Sequence, residues 1–71
     1  MDKREASSVG ILHLLADDRF IIPPSGAQEA YDVAITYLRS MTLDGSIPDR
    51  YKYLASKAER RMTIVRKLYN M

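Results

Sequence analysis

The residues able to do chemistry are few and badly spaced for catalysis. His13 is the only histidine and cysteine is absent, so His13 alone makes neither a triad nor a metal site, and a thiolate metal site cannot be assembled. The nearest approach to a carboxylate pair is Glu29 with Asp32, at i and i+3 of an amphipathic stretch. Two acids so placed belong on a solvated face rather than in an acid–base dyad. Asp17 and Asp18 are adjacent, so their side chains diverge, and turn hydrogen bonds to backbone amides are the expected use. Gly10, Gly26 and Gly45 lie too far apart for a phosphate-cradling loop. The sequence therefore predicts no enzyme, no cofactor, no metal and no small-molecule substrate, with His13 an ordinary surface histidine.

Binding chemistry is better represented. KAERRMTIVRKLY, residues 57–69, carries five cations and one acid among Ala, Met, Ile, Val, Leu and Tyr. The charge is unevenly divided along the chain: residues 1–46 hold four Lys/Arg against seven Asp/Glu, net −3, and residues 47–71 hold seven against two, net +5. A solvated helix usually offers its cations acids at i±3 or i±4, each pair adding about 0.2–0.5 kcal/mol. Here Lys52 has Asp49, but Lys57, Arg60, Arg61, Arg66 and Lys67 have none. Compensation must come from the acidic first half or from a partner.

Two punctuated turns divide the chain into three elements. Asp17-Asp18-Arg19 leads into Phe20-Ile21-Ile22-Pro23-Pro24, where the prolines force extended backbone. Asp44-Gly45 is a turn signal, and Pro48 suits the first turn of a helix. Between these turns Ser25 to Gln28 reads as a capping box. Ala27, Ala30, Tyr31, Ala34, Tyr37, Leu38 and Met41 then share one stripe, predicting a helix over 26–41. A second helix is predicted from Pro48 towards 69, with a capping-box-like start at Ser46-Ile47-Pro48-Asp49. Its core stripe is Tyr51, Leu54, Ala55, Ala58, Met62, Val65 and Tyr69.

Residues 6–16 are ambiguous. Ile11, Leu12, Leu14, Leu15 and Ser8 can share a helical face, with His13, Val9, Ala16 and Asp17 on the far side, although Gly10 costs about 1 kcal/mol against Ala. The alternative is a β-hairpin pairing residues 9–15 with 19–22; Leu and Ala favour the helix. The expected fold is all-α: a three-helix bundle whose first connection is an extended apolar strap of Phe20, Ile21 and Ile22. It forms a single small helical domain over residues 1–71, frayed at 1–6 and 70–71. With no cysteine, and an apolar run of only 11–15 near the start, the expectation is a soluble cytoplasmic protein.

On the last helix, Tyr53, Lys57, Arg60, Arg61, Ile64 and Leu68 follow one flank, with Arg50 beside them and Lys67 behind. Cations interleaved with apolar side chains have the composition of an interface centre with a charged rim. The expected partner is a protein with an acidic or mixed surface. Nucleic acid, held by phosphate contacts from the same helix, is the alternative. The connector before this helix is too long for a helix-turn-helix and no zinc-finger, RNP or KH signature is present, so base reading is not expected. A membrane surface fits less well, because the apolar stripe is needed by the second helix. A symmetric dimer would set Arg60 and Arg61 against their copies. The format is that of small regulators that dock on larger machinery, including phage or plasmid proteins acting on transcription complexes.

Overall fold

Helices α1 (Lys3–Ala16), α2 (Pro24–Arg39) and α3 (Asp49–Tyr69) run up, down and up. The computed structural model describes residues 2–19 and 24–70, with the backbone alone at Pro24. Among the described residues there is no strand, so the hairpin alternative is not adopted. The strap of Phe20, Ile21 and Ile22 lies outside the described residues.

α1 starts three residues before the pattern predicts, so part of the expected frayed end forms its first turn. Asp2 is its N-cap and its carboxylate accepts from the Arg4 amide at 2.8 Å. Such a cap satisfies one of the amides that a helix start leaves without an intrahelical partner. The other two caps depart from expectation. Ser25 lies within the first turn of α2, and Gln28 directs its amide nitrogen to Asp32 and its oxygen to Arg66 rather than back to the helix start. Ser46 bonds to Asp44 through both its amide, at 3.0 Å, and its hydroxyl, at 2.7 Å, and Pro48 occupies the N-cap of α3 without a side-chain bond. In the second case a local Asx turn outcompetes the capping box for the serine.

That turn is completed by Gly45 at φ +76°, a left-handed conformation that glycine adopts without a Cβ penalty. α2 ends at Arg39 rather than 41, and the connection to α3 is residues 40–48. Thr42 Oγ1 donates to the Ser46 carbonyl at 2.6 Å, closing the loop on itself.

Leu12, Leu15, Ala27, Ala34, Ile35, Leu38, Ala55, Ala58 and Met62 are buried around one core, with Tyr51 at its margin. α1 packs on both other helices, while α2 and α3 meet less extensively. This central position explains the weak periodicity of α1: apolar side chains are needed on two of its faces, so Val9 and Ala16 point to the core as well as Leu12 and Leu15. Leu14, expected on the core face, is exposed, and Ala16, expected on the far side, is buried. Ile35 is a further core residue outside the predicted stripe.

The lengths of the helices fix the shape of one end. α1 and α3 are parallel and begin at the same level, where Glu5 meets Arg50 and Tyr51. α1 has 14 residues and α3 has 21, so about two turns of α3 run past the end of α1. Full burial accordingly ends at Met62, and Val65, next on the stripe, is half-buried. Tyr69, expected to continue the core stripe, is exposed because α1 no longer runs beside it. No helix among the described residues is long and apolar enough to cross a membrane.

Candidate interaction surface on α3

The acidic first half takes up two of the cations of α3, Arg61 and Arg50, and two others find other partners. Arg61 Nη1 donates to Asp18 Oδ1 at 2.8 Å and its Nη2 to the Asp18 carbonyl at 3.1 Å, and the side chain is only 20% exposed. Arg50 donates to Glu5 Oε2 at 3.2 Å and lies over the Tyr51 ring, 4.9 Å from its centroid. Arg66 donates to Gln28 Oε1 at 2.5 Å. Lys52 pairs with Asp49 at 2.7 Å, as the spacing predicts.

Lys57, Arg60 and Lys67 make no ion pair or side-chain hydrogen bond with any described residue, and all three are exposed. Between them stand Tyr53, 74% exposed, Ile64, 58%, and Leu68, 63%. These apolar side chains and cations together make a mixed apolar and basic patch on the outer face of α3. Steps of four and three residues keep Tyr53, Lys57, Arg60, Ile64 and Lys67 on one face of the helix, about 20 Å from end to end. Of the seven predicted contact residues, the structure thus places six on an exposed face and turns the seventh, Arg61, towards α1.

Glu5 joins α1 to the start of α3. The Tyr51 hydroxyl donates to it, and this bond, followed by Arg50, holds its carboxyl below the usual glutamate value. Asp17 accepts from Arg19 through both carboxylate oxygens, at 3.1 Å from Nε and 2.9 Å from Nη2, and from the Arg19 amide at 2.9 Å. These bonds lower its pKa to about 2. The turn role expected for Asp17 is therefore realised; Asp18 instead pairs with Arg61. Tyr31 donates to Glu59 at 3.5 Å, and burial first, then the Glu59 charge, raises its pKa.

His13 is exposed, as expected, but it lines a groove between α1 and α3 together with Val9, Ala16, Leu54 and Lys57. The sequence carries a signal for this groove, since Val9, His13 and Ala16 recur at steps of four and three. It is overlooked when α1 is given a single apolar face. Among the described residues no three His, Asp or Glu side chains are grouped as metal ligands would be. Compared with protein-family models, curated proteins and solved structures, the chain returns no match.

Proposed function

We propose that this chain is a non-enzymatic binding module that docks on a protein with an acidic or mixed surface through the exposed flank of α3. The observation that carries this reading is the division of the cations. Arg50, Arg61 and Lys52 are paired with acids and Arg66 is hydrogen-bonded to the neutral Gln28, while Lys57, Arg60 and Lys67 are left in line with Tyr53, Ile64 and Leu68. Electrostatic attraction would bring the partner in, and the apolar side chains would hold it. Its place is that of a small regulator riding on a larger assembly, transcription machinery being the leading example of the format.

The test is affinity capture from host extract with and without nuclease, beside an Arg60→Glu/Lys67→Glu variant that keeps Arg61 and therefore its bond to α1. A defined protein complex that survives nuclease and is lost in the variant supports docking. Recovery that collapses with nuclease makes the same flank a phosphate-binding surface. Salt gives a second criterion: three phosphate contacts would give log K a slope of about −2 to −3 against log salt, whereas a mixed interface is less sensitive.

A further inference from the structure

The flank of α3 opens sideways into a groove of about 700 Å³. Because α1 and α3 are parallel, Val9, His13 and Ala16 of α1 lie alongside Arg50, Leu54 and Lys57 of α3, both rows stepping by four and three. The floor is apolar: Val9 and Leu54 are half-buried and Ala16 is buried. Tyr53 stands exposed at the edge.

The charge left over in this groove is positive. Its two acids are engaged, Asp17 by Arg19 and Asp18 by Arg61. Arg50 gives a donor to Glu5 but remains 62% exposed, and a guanidinium has five donors to place. Lys57 has no counter-ion among the described residues.

We infer that this groove receives an acidic peptide segment of the docking partner, one apolar side chain resting on Val9 and Leu54 while flanking carboxylates meet Lys57 and Arg50. A small free anion has no use for the apolar floor. An uncharged apolar ligand would take water from Lys57 and return no partner, which is costly. An acidic segment with an apolar anchor satisfies both, and it can continue from Lys57 onto Arg60 and Ile64. This inference rests on the docking role proposed for α3 and adds the place where the partner's chain enters.

The experiment uses the full chain, isotope-labelled, titrated with a short peptide of Asp, Glu, Gly and Ser bearing one central Leu. Matched peptides replace that Leu by Ser, or the acids by Asn and Gln. The expected result is saturable binding with amide shifts at Val9, His13, Ala16, Leu54 and Lys57, and roughly tenfold weaker binding of each matched peptide. His13→Glu places a negative charge on the α1 wall without disturbing the α3 flank. It should weaken binding roughly tenfold while His13→Gln retains it. Both changes are at an exposed position, and circular dichroism checks that the fold is kept.

Shifts confined to residues 60–68 would overturn the groove while leaving the docking role of α3 intact. Binding that is indifferent to His13→Glu, or no stronger for the acidic peptide than for its neutral match, would also overturn it. Failure of the docking role itself would be seen separately, in the extract capture.

Discussion

The guanidinium of Arg61 is bonded to both the carboxylate and the carbonyl of Asp18, whereas the neighbouring Arg60 has no partner among the described residues. Two adjacent arginines thus belong to different parts of the molecule, one to the joint between α1 and α3 and the other to the outward surface.

Single variants should separate these roles. Arg61→Ala is expected to lower stability by about 0.2–1 kcal/mol, the range for an ion pair whose acid, Asp18, is solvent-exposed, with some further loss from the packed Arg61 stem. Arg61→Glu should be worse, because it sets a third acid beside Asp17 and Asp18. Arg60→Glu should change stability by no more than about 0.5 kcal/mol and act on binding instead. Urea denaturation of the three variants, read beside partner capture, checks this; equal stability losses at 60 and 61 would contradict it.

Acid should weaken the fold in a defined window. Asp17 is held down to about 2 by Arg19, Glu5 lies below 4.5 through Tyr51 and then Arg50, and Asp2 and Asp44 lie below 3.8 through bonds to Arg4 and Ser46. Each folded value is below its unfolded one, so each group contributes stability that is complete above the unfolded value. That contribution is lost as pH falls through the folded value. Thermal unfolding should therefore show Tm falling from about pH 4.5 towards pH 2, and Asp17→Asn should flatten the lower part of the fall.

The glycines offer a pair of opposite expectations. Gly10 is in the interior of α1 with open space where a Cβ would go, so Gly10→Ala should stabilise by about 0.5–1 kcal/mol. Gly45 has φ +76° and equally open space. The backbone conformation alone should make Gly45→Ala destabilising, by about 1–2 kcal/mol. Chemical denaturation of both variants checks the signs; a gain at Gly45 would mean that the turn can be remade without positive φ.

The core leaves little reserve. Leu12 and Leu38 are fully buried, and truncating a leucine in such a site costs about 2–5 kcal/mol. A domain of this size commonly has only about 3–5 kcal/mol to lose. Leu12→Ala and Leu38→Ala are each expected to leave the chain largely unfolded at physiological temperature by circular dichroism, while Leu14→Ala, at an exposed position, should fold.

Much of the architecture was legible in the residues themselves. The three-and-four spacing of α2 and α3, the Asp44-Gly45 turn and the favouring of helix over hairpin for α1 all rest on local preferences, which act between residues a few positions apart. The exposed flank was legible for the same reason, because positions on one helix fix one another's direction. The tertiary structure decided what lies between helices. That Arg61 is taken up by Asp18 and Arg50 by Glu5 depends on α1 running parallel to α3, which joins residues more than forty positions apart. The same pairing makes Val9, His13 and Ala16 one wall of a groove rather than the back of a helix, and it exposes Tyr69 where α3 outruns α1. Local sequence sets the direction of each side chain along its helix; only packing determines which of those directions meets a neighbour and which meets water.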